Sequence, residues 1–371
     1  MKYGHLLFWL ICLPMFAMGE GTWQTSAPNT AVSKWQRKAL IACLVPMAKA
    51  IRAQQRSDGA IVMGDRAPYR LSPYVANYAA LGLLGAYQIT HDPSLLQAVK
   101  RWQEWYLAHL NVDGTIYDYS GDVGAWQPTN DYDSTDAYAA TFMRLVWRYA
   151  QVAKDPLWVR HLLTELPKLA NAIRLTLQGD GLTTAKPNYP AMYTMDNVEV
   201  YQGWVASAQL AQKMHRADLA HIYGRLAKAT LHAIDTLLWV HDNRGGGHFL
   251  IGIQPNGASI EVKQPMVWYP DQVAQLMAIA WLPKSSRTCG LYSALCRGEL
   301  KLPSIIITED ELSYVVWWAL AAETVGDRPT LSRILQLLIA VPKTLPTVMD
   351  VGLEGHVCTI LAHACEQGDR L

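Results

Sequence analysis

Net charge and cofactor signatures are what this chain has least of. Its 371 residues carry 32 Lys and Arg against 31 Asp and Glu, a formal net charge of +1, so it has no basic field to hold nucleic acid or an acidic membrane. Neither HExxH nor CxxC occurs and the eleven His are scattered, which leaves no zinc-ligand spacing. Gly245-Gly246-Gly247 lacks the strand, Lys and Ser/Thr of a phosphate loop, and Ser72-Pro73-Tyr74 has no Gly-x-Ser-x-Gly setting. No metal or organic cofactor is expected. A Gly/Ser linker is missing as well, and 51% hydrophobic residues over this length suit one large core. Phenylalanine is scarce, four residues against 14 Trp and 18 Tyr. Tyr and Trp join a flat apolar face to a hydrogen-bonding edge, which suits stacking on sugars as well as core packing.

At the N-terminus, Lys2 precedes the apolar run Leu6 to Met18, and Ala17-Met18-Gly19 forms a small-x-small site. Residues 1–19 read as a secretory signal, too short for a comfortable membrane span, and 20–30 as a flexible segment. An exported protein, periplasmic or secreted and without stable membrane insertion after cleavage, is expected. Cys289 and Cys296 flank a short segment and are expected to be bridged or within bridging reach, with buried free thiols the alternative. Cys358 and Cys365 sit seven apart on one predicted helix, roughly 10 Å by helical rise and too far to bond to each other. Either could instead meet Cys43 across the ring closure.

Apolar residues at i, i+3, i+4 and i+7 predict helices at 31–54, 72–90, 94–110, 134–152, 156–178, 197–213, 217–239, 271–282, 288–297, 309–325, 329–341 and 355–367. Their connections alternate. Short turns recur, as in His91-Asp92-Pro93-Ser94 and Lys154-Asp155-Pro156-Leu157, where Asp suits a cap and Pro a first helical position. Long loops lie at 55–71, 111–133, 179–196, 240–270, 298–308 and 342–354. Helix pairs joined this way close into a ring of six hairpins over 31–371, with all long loops on one working rim. The pattern resembles the all-α (α/α)6 toroid of the six-hairpin glycosidases.

Thr129-Asn130-Asp131-Tyr132-Asp133-Ser134-Thr135-Asp136-Ala137 opens the fourth predicted helix. Ser134 or Asp133 can cap it, but three Asp in six residues exceed what capping needs. Such crowding in a cleft would split their pKa values into proton-holding and ionised groups. Thr135-Asp136-Ala137, with Ala139 and Ala140, resembles the signature at the equivalent hairpin of family 8 glycosidases, in which Tyr138 replaces a second Asp. In the third loop, Asp196 or Asn197 can cap and Glu199 has capping-box spacing, while Asn197, Tyr201 and Trp204 would share a face as a sugar-binding strip. The fourth loop ends Trp268-Tyr269-Pro270-Asp271, two aromatics against a carboxylate. The resemblance implies a general base from a late hairpin, for which Asp271 is the first choice and Glu199 the rival. Glu309 and Asp310 read as a capped, solvated helix start, and Glu354 could reach the mouth.

The expectation is a glycoside hydrolase acting on a polysaccharide or oligosaccharide, with Asp136 or Asp133 paired with Asp271 and with Tyr132, Asp196, Asn197, Tyr201, Trp268, Tyr269 and Glu354 binding the sugar. The alternatives are a polysaccharide lyase, in which Tyr132, Tyr201 and Arg70 would matter more, and a catalytically silent carbohydrate-binding protein of an envelope polysaccharide system.

Overall fold

The computed structural model describes residues 34–242, 246–306, 308–341 and 350–369. The expected signal peptide, the 20–30 segment, Gly245 and most of the sixth long loop lie outside these. Among the described residues there are twelve α-helices: α1 (Lys34–Ala53), α2 (Pro73–Thr90), α3 (Pro93–Ala108), α4 (Thr135–Val152), α5 (Pro156–Arg174), α6 (Thr194–Lys213), α7 (Ala217–Ala233), α8 (Val273–Trp281), α9 (Ser286–Gly298), α10 (Glu309–Val325), α11 (Arg328–Ile339) and α12 (Val351–Asp369). The even-numbered helices pack on one another in sequence, and α12 closes on α2 to complete an inner ring. Each odd-numbered helix packs outside its hairpin partner, with α1 against α12.

Composition explains which ring a helix joins. α2 and α8 contain no charged side chain and suit burial all round, whereas α5 and α11 carry one apolar stripe with charges opposite. Trp102, Trp204, Trp318, Tyr106, Tyr149 and Tyr223 fill the space between the rings. Small residues let inner helices cross closely: an added Cβ on Gly82 would meet Gly355 backbone at 2.5 Å, and one on Gly203 would meet Ala140 at 2.8 Å.

The short turns follow their sequence chemistry. Asp92 accepts from the Ser94 amide at 2.9 Å, Asp155 from Trp158 at 3.1 Å and Asp327 from Thr330 at 3.1 Å, satisfying first-turn donors. The long loops carry structure that helical periodicity does not signal. β1 (Tyr69–Leu71), β2 (Tyr119–Gly121) and β3 (Gln127–Pro128) form one antiparallel sheet in that order, tying the first loop to the second. β4 (Met192–Tyr193), β7 (Gly252–Ile253) and β8 (Ser259–Ile260) tie the third to the fourth, and β5 (Trp239–His241) pairs with β6 (Gly247–Phe249). The predicted 217–239 helix therefore stops at Ala233, passes through a π-helical turn at Ile234–Leu238 and becomes a strand.

The expected Cys289–Cys296 bridge is not formed; both are thiols. They stand seven residues apart on α9, so helical rise separates them by roughly 10 Å, beyond disulfide reach. Cys43 also remains a thiol and donates to the Ile339 carbonyl at 3.7 Å.

Candidate functional site

The N-terminal ends of the six inner helices converge on one cleft of ≈390 Å³, whose lining includes Tyr74 from α2, Ser134 from α4, Asp196 from α6, Val273 from α8, Asp310 from α10 and Gly352 from α12. A wider adjoining hollow of ≈720 Å³ shares Asp133, Met195, Asp196 and Tyr269 with it. Long-loop chain ends thus surround a single opening.

Asp136, expected to be catalytic, lines neither hollow and is linked to Asp196 through the Ser134 hydroxyl. It is fully buried; its Oδ1 accepts from the Ser134 hydroxyl at 2.5 Å and the Ala137 amide at 2.8 Å, while Oδ2 has no hydrogen-bond partner. Burial pushes its pKa up to about 6, with the Ser134 hydrogen bond opposing. The same Ser134 hydroxyl lies 3.2 Å from Oδ2 of Asp196. One hydroxyl touching both carboxyls holds them closer than the roughly 6.5–9.5 Å that inverting hydrolases leave for a water. Asp196 is half-buried and faces both hollows. Desolvation, then the charges of Asp136, Glu199 and Asp133, raise its pKa well above the usual carboxylate range. Asp133 is exposed at the mouth and lines both hollows too.

Glu199 sits beneath. The helix starts at Thr194, so Glu199 is a turn inside α6 rather than in a capping box. Its Oε1 accepts from the Tyr74 hydroxyl at 2.8 Å and from the Tyr78 hydroxyl. Burial pushes its pKa up to about 8 despite those bonds. Tyr74 stacks on Tyr138 at 5.7 Å, and the Tyr138 hydroxyl donates to Asp118 at 2.9 Å. Burial raises the Asp118 pKa.

Several expected site residues stand elsewhere. Asp271, the first choice for a base, is buried away from the cleft lining, and its Oδ2 accepts from the Lys263 and Val267 amides at 3.0 and 3.1 Å. It braces the fourth loop. Asn197 is buried, accepting from the Thr183 amide at 2.8 Å and donating to the Thr183 and Tyr193 carbonyls, so it pins the third loop. The strip of Asn197, Tyr201 and Trp204 faces protein: Trp204 is fully buried and stacks on Tyr223 at 5.8 Å. Tyr201 and Tyr132 are missing from the cleft lining, Tyr132 stacking instead on Tyr117 at 5.6 Å. Arg70 is exposed in β1. Glu354 is 8% exposed and lies outside the lining, its pKa pushed up to about 8 by burial and then by Asp350 and Glu309.

Trp268 and Tyr269 do wall the cleft, Tyr269 at 68% exposure. Glu309 and Asp310, read from sequence as a solvated helix start, line it as well. The capping box explains their run equally well, since the Thr308 hydroxyl accepts from the Glu311 amide at 3.1 Å. Tyr74, Tyr78, Tyr138, Trp317 and His356 were missed because, in apolar helical stripes, they carry the same signal as core aromatics. Among the described residues no group of three or more His, Cys, Asp or Glu is placed to hold a metal ion.

No protein-family model and no curated protein sequence matches the chain. Solved structures do. A D-mannose isomerase superposes with a TM-score of 0.63 at 10% identity, covering 93% of this chain and 100% of that one. An inactive variant of the α-1,6-mannanase of Salegentibacter sp. HEL1_6, in complex with α-1,6-mannotriose, gives 0.56 at 12% identity over 87% and 99%. A bacterial glucoamylase complexed with acarbose gives 0.60 at 10% identity, covering 88% of this chain and 56% of that one. With twelve helices in two rings among the described residues and these neighbours, the chain has the (α/α)6 toroid fold.

Proposed function

We propose that this protein is a glycoside hydrolase whose cleft takes a segment of a polysaccharide or oligosaccharide. The observation that carries the reading is a pair of carboxyls, Asp196 and Asp133, on one opening in opposite environments: one desolvated among like charges, the other exposed. That contrast divides acid from base. Asp196, holding a proton, donates it to the leaving glycosidic oxygen; Asp133 accepts one from water. Ser134 and Asp136 position Asp196 from behind, and Tyr74, Trp268, Tyr269 and Trp317 supply flat faces for neighbouring sugars. The glycosidases among its structural neighbours support a carbohydrate ligand for this cleft.

The test is a glycan panel scored for new reducing ends. Wild-type protein should release them, and Asp196→Asn should lose about 10²–10⁴-fold in turnover while still binding the glycan, because only proton chemistry is removed. Full activity in Asp196→Asn refutes the assignment. Saturable binding without product identifies a binding protein instead, and a product with a new ultraviolet-absorbing double bond identifies a lyase.

A further inference from the structure

Behind the cleft, on the ring axis, lies a second chamber of ≈230 Å³, lined by side chains of the inner helices. That is well above the roughly 10–15 Å³ one water requires. Tyr78 and His356 line both spaces with rings 4.3 Å apart, so they form the partition. The partition separates opposite charges. The cleft is lined by Asp133, Asp196, Glu309, Asp310 and Asp350, whereas the chamber lining holds Arg144 and Arg148 and no carboxylate.

Arg144 is the group that needs an explanation. Its guanidinium packs on the Trp281 ring at 4.5 Å, and among the described residues it makes no hydrogen bond and no ion pair. Desolvation pulls its pKa below the ordinary value. The side chain is half-buried, and a charge drawn partly out of water is ordinarily paired, because the stacking of a cation on an aromatic ring recovers only part of the lost hydration. The carboxylate whose charge reaches it, Glu199, is occupied by the Tyr74 and Tyr78 hydroxyls. Arg148, nearer the short-turn rim, is already fixed by Gln88 and Gln151 at 3.0 Å each, so its fork is held in place. Towards the same rim, Glu323 is engaged by His363 at 3.2 Å.

We propose that this chamber is an anion site for a phosphate group, entering from the short-turn rim and seated against the Arg144 and Arg148 guanidiniums. A planar fork of donors matches a tetrahedral oxyanion with paired hydrogen bonds, and the apolar walls of Trp147, Trp281 and Leu320 strengthen that attraction by excluding water. The site is separate from the acidic cleft, whose carboxylates would repel the same ligand.

Calorimetric titration of the full chain with sodium phosphate at constant ionic strength tests the proposal. One saturable site is expected, weakened about tenfold or more in Arg144→Gln through loss of charge-assisted hydrogen bonds. Arg148→Gln, at the chamber mouth, should weaken it too and provides the answer if Arg144→Gln does not fold. Glucose 6-phosphate distinguishes the sources of the group: tighter binding than phosphate assigns the chamber to a phosphorylated sugar, and equal or weaker binding assigns it to free phosphate. No saturable binding to folded wild type, an equal response to sodium chloride, or full affinity in a folded arginine variant overturns the proposal.

Discussion

Replacing Gly355 by alanine tests whether closure of the helical ring is what positions the acidic cleft. Gly355 lies in α12 where it crosses α2, and a Cβ there would stand 2.1 Å from the Tyr78 carbonyl oxygen, 2.5 Å from its carbonyl carbon and 2.8 Å from the Cα of Ala79. Two effects oppose each other. Alanine is favoured over glycine inside a helix by about 1 kcal/mol, while overpacking a close contact costs about 1–3 kcal/mol. All the atoms met belong to backbone, so no flexible side chain can turn aside and relief requires the helices to part. Overpacking therefore wins: a cost at the upper end of its range, about 2–3 kcal/mol, less the helix gain leaves a net loss of about 1–2 kcal/mol. Tyr78, whose hydroxyl bonds Glu199 and whose ring packs on His356, would shift with its carbonyl, so glycan binding should weaken as well. Gly290 on the exposed side of α9 has nothing within 4 Å of its missing Cβ. Gly290→Ala is thus the control and should gain up to about 1 kcal/mol. Urea titrations at constant m-value give both numbers. If Gly355→Ala proves as stable as wild type, or gains like the control, the close-crossing argument is wrong.

Further tests address the site. Glu199 has a folded pKa of about 8 against 4.5 for the ordinary group, so the native state holds its proton more tightly. Its stabilising contribution is complete below pH 4.5 and lost as pH rises through 8; Glu199→Gln should flatten that part of the pH–stability profile, and an unchanged profile would count against a proton there. Tyr269→Ala should weaken oligosaccharide binding in a calorimetric titration while leaving stability within about 0.5 kcal/mol, since the side chain is 68% exposed. Asp271→Ala should increase protease cleavage across residues 262–268 by freeing two loop amides; equal cleavage rates would show that Asp271 does not brace the loop.

What the sequence determines by itself is the toroid. Apolar periodicity, Asp and Pro at turns such as 91–94 and the alternation of short with long connections are local signals, each enforced by helix geometry within a few residues. Those signals also place the working rim, because antiparallel hairpins put every second connection at the same end. The chemistry of individual carboxylates is not local. Asp196 and Asp310 stand in the first turns of inner helices and Asp271 in the π-helical turn that leads into α8, all with nearly the same sequence credentials. Packing then separates them, turning Asp271 onto the amides of its own loop and leaving Asp196 facing the cleft beside the buried Asp136. Likewise Asn197 and Trp204 occupy the helix face predicted for sugar, yet that face meets the third loop and α7. The loop sheets, the Tyr74–Glu199–Tyr78 contact and the packing of Arg144 on Trp281 join residues far apart in sequence. Desolvation and hydrogen-bond pairing set their properties, and both exist only once the ring has closed.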